Sequence, residues 1–400
     1  MYNKINKTKL YFKVCDVMEC FLKKFNISTS NNCISKYFET AKNLLLANGN
    51  DIMEFERYSI FTYMKQDIAR IRNELIKDTD NVLYAYLLYV AIKNADTFAI
   101  SVLSSPQNAL DDEKFDTLPL FSLLYMIPNM VSALRQKGVP EDVIEATLNM
   151  FENQMQDFFN LHQHYGISCY VSWMMKFIRC EIIKVGRFNL EMCDYTEDFD
   201  VFQSGDRLAV LPNGVTFHKS GQILGSVGFE DEKGSFLGEI SETDDFFEGI
   251  LIENGLAKNQ KTRLDKALWK KILTKGDRII SYHIPSGDKL DYEENSRDIE
   301  RGKKIIAKSF GEVKCGFCLS WLLDPQIKEI VGKPTNLTAF ADRFLRFPIK
   351  SSGEDVFDYV FLCPSSTPLE ELPEKSSFAK AIKNHLIGGG HIYGAGGVML

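Results

Sequence analysis

Residues 171–192 read VSWMMKFIRCEIIKVGRFNLEM, and the hydrophobic period changes inside that stretch. Val171, Met174, Met175, Ile178, Ile182 and Val185 fall on one helical stripe, with Lys184 in its last turn and Gly186 where a helix commonly stops. Beyond Gly186, Phe188, Leu190 and Met192 alternate with Arg187, Asn189 and Glu191, which is the period of a half-buried strand. The expected division is therefore a helical part over residues 1–185 and a mixed α/β part over 186–400.

Toward the N-terminus the helical period persists from about Asn3. In the stretch opened by Pro140, the positions Ile144, Leu148, Phe151, Met155, Phe158 and His162 make one face, and His162 is expected to be a core or edge histidine. The first residues carry Lys13, Asp16 and Glu19 where a secretory signal would need an apolar run, so they read as an amphipathic helix. Thr117 to Leu134 is uncharged, but Pro119, Pro128 and Asn129 divide it into two buried helical pieces rather than one membrane span. The absence of a signal pattern and nine cysteines without a repeated spacing point to reduced thiols in a cytoplasm.

Toward the C-terminus short segments follow, punctuated by glycine. Arg207 to Leu211 and Val215 to His218 flank Pro212-Asn213-Gly214, and Ile223 to Phe229, Phe236 to Ile240 and Phe246 to Ile252 extend the strand pattern. Leu264 to Leu273 reads as a helix. Then come a strand at Arg278 to Ile284, a helix at Tyr292 to Phe310, a strand at Val313 to Leu319, and helices at Pro325 to Val331 and Leu337 to Phe347. A strand at Phe357 to Leu362 and a helix at Phe378 to Leu386 close the series. Such a succession predicts a mixed sheet with helices packed on it. With 45% hydrophobic and 25% charged residues the chain folds, and a net charge of -7 argues against nucleic acid or an anionic membrane as a general partner.

Several residues carry candidate chemistry. His283 sits where a strand feeds a helix through Ile284, Pro285, Ser286, Gly287 and Asp288, with Asp291 and Glu294 at capping-box spacing beyond. Strand ends and helix amides converge at such turns, which makes His283 the first acid or base candidate. Cys315 and Cys318 match C-x-x-C, but on a strand they face opposite ways, so a structural role is favoured over a metal site. Ser320 precedes Asp324 and Pro325 at the next strand-to-helix junction, where Asp324 is a natural N-cap and Ser320 a weak nucleophile candidate. His162 and His164 lie about 200° apart on a helix, too far round to share a metal. The glycine-rich run from Gly388 to Gly397 lacks the lysine and following helix of a phosphate loop and reads as flexible backbone or a tight turn. His391 within it stays of interest, because glycine lets a backbone approach a ligand.

The segments Lys184 to Glu191, Gly276-Asp277, and His283-Ile284-Pro285 with Gly287 and Leu290 stand in one order with Cys318 to Pro325, Asn336 with Phe340, and Gly389-Gly390-His391 with Gly394-Ala395-Gly396. Together they resemble a family of bacterial acyltransferase-domain proteins. In that family a helical N-acyltransferase N-terminal domain precedes a GNAT-like C-terminal domain, and the likeness runs from about Gly138 onward. The resemblance implies an α+β architecture and transfer of an acyl group from acetyl-CoA or another acyl-CoA to a small-molecule amine, without a metal. It implies His283 or Glu191 as the group that takes the amine proton, with Ser320 beside them. Ile284, Gly287, Trp321 and His391 would then contact the acyl-CoA, in a cleft where the His283 loop faces the Ser320 to Asp324 junction and His283, Ser320 and Trp321 line a pocket. The chain departs from the GNAT pyrophosphate loop, since it offers only Gly287 there and follows it with Asp288, Asp291, Glu293 and Glu294. Carboxylates in a first turn occupy the amides and repel a diphosphate. Two rival readings follow: a binding module on the same fold that has lost CoA, and a thiol hydrolase using Cys318 with His283.

Overall fold

The computed structural model describes residues 18–27, 32–58, 60–104, 112–285, 287 and 289–400. The expected helix at the extreme N-terminus lies largely outside them; residues 18–24 are helical. The chain forms two compact units, Met1–Ile183 and Lys184–Leu400.

The described part of the first unit is helical: α1 (Asn32–Asn48), α2 (Lys65–Leu75), α3 (Thr79–Lys93), α4 (Thr97–Ser104), α5 (Glu113–Leu124), α6 (Ile127–Gln136), α7 (Glu141–His162) and α8 (Val171–Ile178). Helices α3 and α5 are apolar nearly all round and correspondingly buried on most sides. Each starts on an aspartate, Asp78 and Asp112, whose side chain accepts an amide of the first turn. Thr117 to Leu134 is two helical pieces, α5 and α6, broken at Tyr125 and Met126. The stretch Glu113–Gln136 is long and apolar enough to cross a membrane by composition, yet most of its apolar part is buried within the protein. Of the stripe of α7, Ile144, Phe151, Met155 and Phe158 are buried and Leu148 is half-buried, and His162 packs its ring against Phe158. Glu152 on the same helix accepts the amides of Thr62, Tyr63 and Met64, so a buried carboxylate satisfies the orphan donors just before α2.

The helical stripe read through Val185 is too long. Helix α8 ends at Ile178 in a Schellman turn, with Glu181 N donating to Lys176 O and Cys180 N to Phe177 O, and Cys180 takes the left-handed conformation at φ 58°. Ile182 and Val185 belong to a strand, and Gly186 makes the turn of a hairpin.

The second unit contains β1 (Ile182–Val185), which straddles the division, and β2 (Phe188–Asp194), β3 (Phe199–Ser204), β4 (Arg207–Pro212), β5 (Val215–Phe217), β6 (Phe236–Gly238), β7 (Ser241–Glu242), β8 (Phe246–Glu253), β9 (Leu256–Asp265), β10 (Lys270–Leu273) and β11 (Arg278–His283). Helix α9 (Tyr292–Ser309), β12 (Gly316–Ser320), α10 (Ile327–Val331), α11 (Asn336–Ala341), β13 (Leu345–Pro348), α12 (Ser377–Ile387) and β14 (Ala395–Met399) complete it. The main sheet has six strands in the order β1-β2-β11-β12-β14-β13, with β11 and β12 parallel and joined by α9. Three small sheets, β10-β3-β4, β5-β6 and β7-β8-β9, come from the glycine-punctuated segment. Ile279, Cys315, Phe317, Phe347 and Val398 on one face of the main sheet form a core with Tyr195, Phe199, Val201, Val210 and Phe217. Behind the other face, Gly302 of α9 leaves room for Leu190, and Phe188 stacks on Phe340.

Five local expectations are corrected. Leu264 to Leu273 is the end of β9 and all of β10, held by pairing to β8 and β3. Ile223 to Phe229 is a series of turns with one bridge, Phe217 to Ile223. The helix expected through Phe347 stops at Ala341 and Phe347 lies in β13, while Phe357 to Phe361 is a π-helical turn instead of a strand. The glycine-rich terminus, expected to be flexible or a turn, ends in β14, an internal strand whose residues Ala395 to Met399 are all buried. Beside it β12 is also internal, although Leu319 is 49% exposed.

Candidate functional site

Strand β2 runs antiparallel to β11, pairing Ile279 with Cys193, Ser281 with Glu191 and His283 with Asn189. Directly opposed residues share a face. On that face the apolar pair at Ile279 gives way, toward the carboxyl end of β11, to Ser281, Glu191, Asn189 and His283. His283 Nε2 lies 2.7 Å from Glu191 Oε2, with the imidazole side chain 34% exposed and the carboxylate 10% exposed. A carboxylate only accepts, so Nε2 carries the proton and the basic lone pair of the ring is at Nδ1. Asn189 is buried beside them, and its Oδ1 makes no hydrogen bond among the described residues. A partly exposed imidazole whose tautomer is set by a nearly buried carboxylate is a general-base arrangement. The two residues that the sequence offers as alternatives for proton removal are thus one hydrogen-bonded pair, 92 positions apart in the chain.

Strands β11 and β12 are neighbours, and their described ladder pairs Ile280 with Gly316 and Ser281 with Phe317 without continuing to His283. The strand ends therefore part beside the imidazole. The loop beyond is only partly described: Ser286 and Asp288 lie outside the described residues, and Gly287 is exposed at φ 108°. Asp291 caps α9, its Oδ1 accepting the amides of Glu293 and Glu294 at 3.0 Å each. Those amides are satisfied from within the chain, and the two residues that carry them are acidic.

The remaining candidates are dispersed. Ser320 Oγ accepts the Leu322 amide at 3.1 Å and so caps the short turn at Trp321–Leu323. Trp321 turns toward Phe378 in a separate apolar cluster around Ile382 and Val356. A cavity of about 450 Å³ opens from Asp324 toward His391 and Tyr393, walled by Gln222, Phe229 and Leu256, and none of His283, Ser320 and Trp321 lines it. Of the residues implied to hold acyl-CoA, Ile284, Gly287 and Trp321 are absent from its lining and His391 is part of it. The return of the chain over the junction, through residues 220–229 and 389–395, decides where the hollow lies, and no local pattern announces that crossing. Asp324 does organise its turn, accepting the Gln326 amide at 2.9 Å, but the helix it precedes begins only at Ile327. Cys318 is fully buried, and burial pushes its thiol up to about 12, which leaves no appreciable thiolate for the hydrolase reading. Among the described residues no group of three or more His, Cys, Asp or Glu side chains is placed to hold a metal ion.

Residues 182–399 match the GNAT-like C-terminal domain. The chain belongs to that family. Ahead of its GNAT-like domain, residues 61–180 match the N-acyltransferase N-terminal domain. Solved structures show the same fold: an acyltransferase in complex with decanoyl-CoA and teicoplanin has a TM-score of 0.59 at 14% identity, over 95% of this chain and 98% of that chain. An acyltransferase mutant in complex with octanoyl-CoA has a TM-score of 0.60, again at 14% identity and over 95% and 98% of the two chains. Among curated proteins no sequence matches the chain.

Proposed function

We propose that the protein is an acyl-CoA-dependent N-acyltransferase whose general base is His283, oriented by Glu191. The observation that carries the reading is the 2.7 Å contact between these side chains at the point where β11 and β12 part. Membership of the GNAT-like family supports it, as do related folds that bind octanoyl-CoA and decanoyl-CoA. The parted strands receive the pantetheine arm and bring the thioester to the imidazole. The acceptor nitrogen attacks the thioester carbonyl and gives its proton to His283 Nδ1, while Glu191 stabilises the resulting imidazolium. The carbon–sulfur bond then breaks, an amide remains, and the departing CoA sulfur takes up a proton.

The acidic, self-capped start of α9 favours a second reading, a binding module that no longer uses CoA. One experiment separates the two. Full-length protein is incubated with acetyl-, octanoyl- or decanoyl-CoA and a library of amines, and free thiol and acylated product are measured. Amine-dependent thiol release that disappears in His283→Ala supports acyl transfer; release that is absent, or unchanged in the variant, overturns it.

A further inference from the structure

The cavity of about 450 Å³ is not used by the acyl-transfer step derived above. Its lining includes the carboxylate of Asp324 but no lysine or arginine. Asp324 is 2% exposed. Its oxygens accept only neutral donors: Tyr393 N at 2.7 Å, Gln326 N at 2.9 Å, and Gln326 Nε2 at 3.3 and 3.4 Å. A buried carboxylate is usually paired with a cation, and here backbone and amide N–H groups meet its oxygens, with the His385 imidazole the one basic side chain whose charge acts on it. Burial accordingly raises the affinity of Asp324 for a proton. A second negative group is nearby, because Glu230 accepts the Gly228 amide at the cavity wall. The walls carry aromatic and apolar side chains alongside the neutral polar Ser220, Gln222 and Gln326. Phe229 and Tyr393 have ring centroids 5.4 Å apart, His391 stands 6.2 Å from Tyr393, and Leu256 and Pro325 close the opposite side. Gly228 permits this packing, since its φ is +76° and a side chain there would press on the His391 ring.

We propose that this cavity binds a small organic cation, an ammonium group carried on an aromatic or aliphatic body, with the charge directed at Asp324 and the body held between Phe229, Tyr393 and Leu256. Aromatic faces attract cations as well as apolar surface, so the rings of Phe229 and Tyr393 and the Asp324 carboxylate favour the same ligand class. Neutral alcohols of the same shape offer the carboxylate a hydrogen bond but no charge, and carboxylates are repelled by it. Binding at this site requires no CoA, so the inference stands or falls separately from the acyl-transfer reading.

The test is calorimetry on the full chain with phenethylamine, its neutral counterpart 2-phenylethanol and the anion phenylacetate, all without CoA. The amine is expected to bind at least about tenfold more tightly than the alcohol, and phenylacetate not at all. Asp324→Asn is expected to bring the amine down to the affinity of the alcohol, and Leu256→Trp, which fills the cavity from the β8–β9 turn, to abolish binding of both. Equal binding of amine and alcohol by the wild type, absence of amine binding, or unchanged binding in Leu256→Trp overturns the proposal. If circular dichroism finds Asp324→Asn unfolded, the wild-type preference together with Leu256→Trp decides the matter.

Discussion

Gly396 of β14 lies directly opposite Phe347 of β13, and the phenylalanine ring occupies the space that a side chain at position 396 would need. Gly397 is excluded from carrying a side chain in the same way, by Phe344 and Leu323 on the other face. The glycines of the C-terminus are thus filled by neighbouring rings. Gly396→Ala is expected to cost about 1–3 kcal/mol through overpacking. Urea denaturation monitored by tryptophan fluorescence reads this as a lower midpoint at unchanged slope, and an unchanged midpoint would contradict the packing account.

The His283 and Glu191 pair makes unequal demands on its two members. His283→Ala is expected to lower kcat of the acyl transfer by about 100-fold or more. Glu191→Gln keeps a hydrogen-bonding partner but loses the charge, and is expected to fall between wild type and His283→Ala with KM little changed. Wild-type kcat in both variants would sink the general-base assignment.

Asp291 takes the amides of Glu293 and Glu294, so the nucleotide end of an acyl-CoA finds no free helix N-terminus in that turn. An acyl-pantetheine is therefore expected to replace the matching acyl-CoA with a KM within about tenfold, where an enzyme anchoring the diphosphate on such amides would lose far more. Steady-state kinetics with the two donors decide this. A loss of several orders of magnitude on truncation would mean that the diphosphate is held elsewhere in the protein.

Asp96 precedes α4, accepts the Ala99 amide and pairs with Lys36 at 2.7 Å. The amide bond first, and the lysine next, hold its carboxyl down at about 2, against an ordinary 3.8. A carboxylate depressed in the folded state stabilises it above the ordinary value, and that contribution is lost as the pH falls through the depressed one. Asp96→Ala is expected to cost about 1 kcal/mol at neutral pH, as lost helix caps do. Its deficit relative to wild type should shrink between about pH 4 and pH 2, measured by thermal unfolding across that range. A deficit constant down to pH 2 would show that the charge is not what matters.

Where local pattern and tertiary partner agree, the sequence alone was sufficient. The amphipathic α7, the pair α5 and α6 around the uncharged Thr117 to Leu134, and the β11–α9–β12 succession follow from periodicity and capping residues, because burying one face of a regular element demands that spacing. His283 was likewise legible, since a histidine at a strand-to-helix turn is marked by its own neighbours in the chain. Tertiary structure decided the rest. Leu264 to Leu273 is helical by local pattern, yet its backbone donors are taken by β8 and β3, and Ala395 to Met399 is a strand only because Phe347 and Phe344 supply the bulk its glycines lack. The partnership of Glu191 with His283 depends on an antiparallel register joining segments 92 residues apart, and the cavity at Asp324 on loops that return from both sides of β12. A linear pattern records which face a residue turns toward, but not which distant residue will be waiting there.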